Sequence, residues 1–156
     1  MPNWCFNSIK FHTDKQEVAE KIMAAVEAGN LLETLRPLPN GEWDYEWCIE
    51  NWGTKWEAQN GDISNHEIMD GNHFFVINNE TAWSPPIAAL DAGREALGFD
   101  YEIEYFDESL MFVGRWENGE GESFDPIDAN GDLIPDLPDW AEAMCGYFEM
   151  NREDRA

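Results

Sequence analysis

Trp52-Gly53-Thr54-Lys55-Trp56 and Thr81-Ala82-Trp83-Ser84-Pro85-Pro86, with Phe74-Phe75-Val76-Ile77 between them, decide how this chain is read. The middle run is apolar at every position, which suits a central strand covered on both faces. The two flanking blocks set indoles beside Gly, Ser and Pro, the residues of turns and connections. Connections are usually polar, so these tryptophans are expected to pack on something. The boxes therefore read as pins holding two connections onto a small α+β sandwich. Trp4, Trp52, Gly53, Trp56, Trp83 and Pro85 are the expected fold determinants. The competing reading is a small-ligand or enzymatic cleft between the boxes, with His73 or His66 nearby.

Outward from the boxes, residues 4–12 alternate, with Cys5, Ile9 and Phe11 against Ser8 and Lys10, and predict a strand. Thr13-Asp14 offers a helix N-cap, with Glu17 at capping-box distance from Asp14. Val18, Ile22 and Ala25/Val26 follow at helical period, and Gly29-Asn30 closes the helix. Pro37 and Pro39 break the leucine-rich stretch after it, so residues 30–52 read as an elaborated loop. Thr54 to Ala58 begins a strand, with Asn60-Gly61 as a turn or bulge, and residues 73–79 form the central one. Ser84 and Pro85 open a helix buried through Ile87, Leu90 and Leu97 and ended by Gly98. Tyr101, Ile103 and Tyr105 alternate with Glu102 and Glu104, and Leu110 to Trp116 pairs with them across a turn. Residues 117–139 are rich in Gly, Asp and Pro. Trp140, Met144 and Tyr147/Phe148 then recur at helical spacing.

That order predicts an α+β fold, a ferredoxin-like split β-α-β sandwich with an elaborated 30–52 loop and a C-terminal extension. Residues 1–117 form the ferredoxin-like domain, and 118–156 an acidic loop and short C-terminal helix packed on the same domain.

Met-Pro-Asn-Trp-Cys-Phe-Asn at 1–7, together with the boxes at 52–56 and 81–86, resembles the blocks of the YubB-like or Api92-like family. The resemblance runs from residue 1 to about 117. It implies a ferredoxin-like domain carried by bacteriophages and conjugative plasmids, and it brings no catalytic residues. The family word names a fold: three widely spaced cysteines, Cys5, Cys48 and Cys145, carry no iron–sulfur, zinc or disulfide pattern.

Charge narrows the function classes. The chain has 33 Asp plus Glu against nine Lys plus Arg, a net charge of −24. Such a surface repels nucleic acid and anionic membranes. Residues 99–156 hold 17 of the acids and three of the bases. Glu102 and Glu104 share a strand face at roughly 6.6 Å spacing, like phosphates along one DNA strand. Asp107, Glu108, Glu117, Glu120, Glu122 and Asp125 would extend that surface. The expectation is a non-enzymatic acidic binding protein of a phage or plasmid, directed at a basic host nucleic-acid-binding or defence protein, with DNA mimicry as its narrower form. No cofactor, direct nucleic acid or membrane partner is expected, and a homo-oligomer through the C-terminal helix stays open. Met1-Pro2-Asn3-Trp4 has no signal-peptide character, and no run of 18 apolar residues occurs, so a cytoplasmic location in a bacterial host is expected.

Weaker chemistry is also present. Asp128-Ala129-Asn130-Gly131-Asp132, with Asp139 at the twelfth position, has the alternating oxygens of a calcium loop. Its glycine stands at position 4 instead of 6, and Pro135 and Pro138 intrude, so an Asn-Gly turn is the plainer reading. His12, His66 and His73 lack metal-ligand spacing. Asp70 and Glu67 nearby offer an acid–base pair as the alternative to surface or satisfied polar histidines.

Overall fold

The computed structural model describes residues 3–130, 132–135 and 137–145. In chain order the elements are β1 (Trp4–Thr13), α1 (Gln16–Ala28), α2 (Leu31–Leu35), a 3₁₀ turn (Pro39–Gly41), α3 (Tyr45–Asn51), β2 (Gln59–Met69) and β3 (Asn72–Ala82). Then come α4 (Ile87–Gly93), continued by a wider π turn (Arg94–Gly98), β4 (Asp100–Asp107), β5 (Val113–Glu117) and β6 (Glu120–Phe124). A last helical stretch covers 139–145.

The fold is mixed α+β, with one six-stranded sheet in the order β2-β3-β1-β4-β5-β6 and every neighbouring pair antiparallel. β1 and β2 run parallel with β3 between them, and β3 and β4 run parallel with β1 between them. The period of two assigns the faces. Cys5, Ile9, Phe11, Phe75, Ile77, Tyr101 and Ile103 point to the helix side, where Ile22, Leu32, Leu35 and Leu90 cover them. Phe11 stacks on Phe75 at 5.2 Å between ring centroids. A second, smaller core lies on the other face, where Ala141 and Cys145 pack over Val113 with Phe106, Phe124 and Trp140 around them.

Several expectations need correcting. Neither Asp14 nor Thr13 caps α1 through an N-cap side-chain bond: Lys15 holds that position, and Thr13 Oγ1 accepts from Lys15 N while donating to Gly98 O. The expected 30–52 loop contains α2 and α3. Asp44 caps α3 by accepting from Trp47 N at 2.8 Å, so Cys48 and Trp52 fall four apart and are both buried. Glu57 reaches back to take the N–H groups of Leu32 and Glu33 at 2.7 and 3.0 Å. Burial raises the Glu57 pKa, and those donors oppose the rise. The strand expected from Thr54 starts at Gln59, with register shifts between Gln59 and Asp62 and between Ser64 and Glu67. The Asn60-Gly61 bulge is as expected. Pro86, and not Ser84, is the N-cap residue of α4. β6 was not anticipated. Tyr147 and Phe148 lie outside the described residues.

The two Trp boxes stand together in space. β2 and β3 form a hairpin, so the start of one and the end of the other lie at the same end of the sheet. There the boxes bond to each other. Thr54 Oγ1 donates to Ala82 O at 2.8 Å, Ser84 Oγ donates to Gly53 O, and Ala89 N donates to Trp52 O at 3.3 Å. Gly53 has φ +84°, and a Cβ there would stand 3.1 Å from Pro85 O. Trp52 is 2 % exposed, and its indole N–H donates to Arg36 O at 2.9 Å. Trp52→Ala should therefore cost on the order of 3–5 kcal/mol, read as a lower midpoint in urea unfolding with an unchanged slope.

Candidate functional site

The face of the sheet turned away from the helices is only partly covered, and register places its side chains in rows. One row reads Ser64, Val76, Lys10, Glu102, Glu117, Glu120 from β2 to β6. The next reads Asp62, Asn78, Ser8, Glu104, Arg115, Glu122. The third reads Gln59, Glu80, Phe6, Phe106, Val113, Phe124, and its far half lies under the 137–145 segment.

Five of the eight acids singled out from the sequence thus meet on β4, β5 and β6. Neighbouring strands stand about 4.8 Å apart, and same-face residues along a strand about 6.6 Å. The carboxylates form a two-dimensional grid instead of a single stripe. Glu102 is directly opposite Glu117, and Glu117 directly opposite Glu120, an arrangement of like charges that destabilises a sheet. Two cations share the grid. Lys10 lies opposite Glu102, and Arg115 Nη2 pairs with Glu122 Oε1 at 3.1 Å. Arg115 also lies 4.7 Å from the Trp140 ring, whose N–H reaches Glu122 Oε1 at 3.2 Å.

Asp107 departs from the expected acidic surface. It is 2 % exposed, on the helix side, and its Oδ2 accepts from Ser109 N and Met111 N at 2.9 and 3.2 Å. It shapes the β4–β5 turn. Glu108 is half-buried in that turn, and Asp125 is exposed just beyond β6.

Two further features bound the open face. At one end a cleft of about 450 Å³ is lined by His12, Asp14, Asn72, Arg94, Glu95 and Asp100, among others. His12 Nε2 contacts Asn72 Oδ1 at 3.0 Å, its Nδ1 stands 3.8 Å from Asp100, and Arg94 Nε stands 3.6 Å from the same carboxylate. At the other end stand the boxes. Trp56 and Trp83 are 37 % and 43 % exposed, so only Trp52 of the three indoles is a core residue. A cleft joining Trp56 and Trp83 to His66 or His73 does not form. His73 and Trp83 sit at opposite ends of β3, roughly 30 Å apart by strand rise, and His66 Nε2 lies 3.4 Å from His73 Nδ1.

The remaining candidates are accounted for locally. Asp128 Oδ1 accepts from Asn130 N and Asp132 N, closing its own turn. Gly131 lies outside the described residues. Among the described residues no three His, Cys, Asp or Glu converge as a metal site. Cys5 is fully buried, and burial first, Asp107 second, pushes its thiol pKa far up, so it stays protonated and unreactive. Its Sγ contacts Asn7 Oδ1 at 3.5 Å, and Asn7 in turn donates to Asn79 and Thr81 at 3.0 Å each. Among the described residues no helix is long and apolar enough to cross a membrane.

No family model, no curated protein and no solved structure matches this chain. Glu117 faces like charge on both sides, so Glu117→Gln should stabilise the fold by about 0.2–1 kcal/mol for each pair relieved. A small rise in thermal midpoint, shrinking as salt is added, is the expected readout. In native protein iodoacetamide should leave Cys5 unlabelled at neutral pH and modify it only after denaturant is added.

Proposed function

We propose that this protein is a non-enzymatic binding protein whose open sheet face engages a basic protein partner. The Glu102–Glu117–Glu120 row carries the proposal. A sheet gains nothing in stability from three like charges in register, whereas a cationic partner would neutralise them. Such contacts accelerate association and are sensitive to salt. DNA mimicry is the narrower form of this reading and rests on the spacing of Glu102 and Glu104. On the three sequence blocks we also place the chain beside the YubB-like proteins of phages and plasmids. A host nuclease, repair or defence protein in the bacterial cytoplasm is then the partner to look for. The interleaving of β1, β2, β3 and β4 with α1 and α4 supports a ferredoxin-like core to which β5 and β6 are added.

The test is retention of a basic host protein on the immobilised chain at low salt and its release at about 0.5 M salt, where screening acts within roughly 3–5 Å. Glu102→Lys with Glu104→Lys should abolish retention without unfolding the protein. Competition by duplex DNA for the same partner would support mimicry. Retention unchanged by salt or by the double reversal would refute the proposal.

A further inference from the structure

At the Trp4 end of the open face, an ammonium group lies between two exposed indoles. Lys55 Nζ stands 4.0 Å from the Trp56 ring centroid and 3.8 Å from that of Trp83. Trp4 backs Trp56 at 6.3 Å, and the Trp43 indole N–H donates to Lys55 O at 2.7 Å, fixing the backbone beneath. Although the chain carries 33 acids, no carboxylate pairs with Nζ among the described residues. The cation rests on ring faces, whose quadrupoles attract it. Trp83 is held at φ +70° by its N–H bond to Asn3 O at 2.9 Å. A bulky residue adopts that conformation only where its surroundings enforce it, and this ring is not buried in return.

We propose that the slot between Trp56 and Trp83 receives an arginine side chain of a basic partner protein, with Lys55 occupying it as an intramolecular stand-in. A guanidinium is flat and weakly hydrated, so it stacks between two rings while its N–H groups stay turned outward to water. An ammonium in the same place turns donors toward rings that hold no lone pair. Exchange of Lys55 for arginine is therefore favourable, and the net charge of −24 draws such a partner in. The slot is separate from the glutamate rows: Trp4 and Ser8 are four residues apart on β1, about 13 Å. It stands on its own geometry and does not require those rows to bind anything.

The probe is N-acetyl-arginine amide, with the uncharged N-acetyl-citrulline amide as its shape-matched control. Indole N–H signals of ¹⁵N-labelled protein are followed in both titrations. The arginine probe should shift the Trp56 and Trp83 signals, and the citrulline probe should not. Lys55→Met should bind the arginine probe roughly tenfold more tightly. Trp83→Gly should retain the fold, because glycine accepts a positive φ, and should lose the response. Glu102→Gln with Glu117→Gln should still bind the probe, which separates this site from the glutamate rows. Equal shifts from both probes, no gain in Lys55→Met, an undiminished response in Trp83→Gly, or loss of binding in the glutamate variant would each overturn the proposal.

Discussion

The clasp between the two Trp boxes is the contact on which the architecture depends. Residues 52–58 have no strand or helix of their own, yet they must carry the chain from α3 into β2. Three hydrogen bonds tie them to the end of β3 and the start of α4: Thr54 to Ala82, Ser84 to Gly53 and Ala89 to Trp52. Buried backbone groups in a connection need partners, and these supply them. Trp52 is buried in the helix-side core, with its indole N–H on Arg36 O and its ring against Trp47. Gly53 is required because its positive φ and the nearby Pro85 carbonyl leave little room for a side chain. With the clasp in place, β2 is directed alongside β3, and the hairpin completes the sheet next to β1.

Beside the clasp, the helix-facing core changes character. Its upper part is aliphatic and aromatic, around Ile9, Phe11, Phe75 and Ile103. Its lower part is polar, with Cys5, Asn7, Asn79, Thr81 and Asp107 all buried. Asn7 links β1 to β3 through side-chain hydrogen bonds, and Thr81 Oγ1 donates to Ser84 O at 2.6 Å. Such a network forms in one register only, since a shift of one residue would turn every partner to the other face, although Asn79 Nδ2 is buried without a partner among the described residues. The polar belt thus ties strand register to the geometry of the box that follows β3.

Much of the layout was legible in the sequence where one face is buried. β1, α1, β3 and β4 show their periods because Ile9, Val18, Phe75 and Ile103 each repeat with the geometry of their element. The edge strands were not legible. β2 beyond Asn60 and β6 before Phe124 are largely exposed on both faces, so no apolar alternation marks them. α3 was obscured because Trp43, Tyr45 and Trp47 are spaced by two, although Asp44 as a cap and the Cys48–Trp52 interval pointed to a helix. At the candidate site, the joint register of Glu102 and Glu117 depends on a pairing that local pattern does not encode. Nor does composition separate Asp107, which holds a turn, from the surface acids around it. The same holds for the indoles: Trp52 and Trp83 stand in similar local sequence, and only the path of the chain buries one and exposes the other.

Both lateral margins of the sheet are unsuited to recruiting another strand. β2 breaks its ladder twice, with Asn60 and Asn65 at φ +52° and +54° beside the register shifts, so its outer backbone groups do not form a continuous template. β6 is five residues long and presents Glu120 and Glu122. A chain with such a high density of aromatic residues is exposed to amyloid-like stacking whenever a flat edge is left open. Here the bulges at one margin and the glutamates at the other act as safeguards against that outcome.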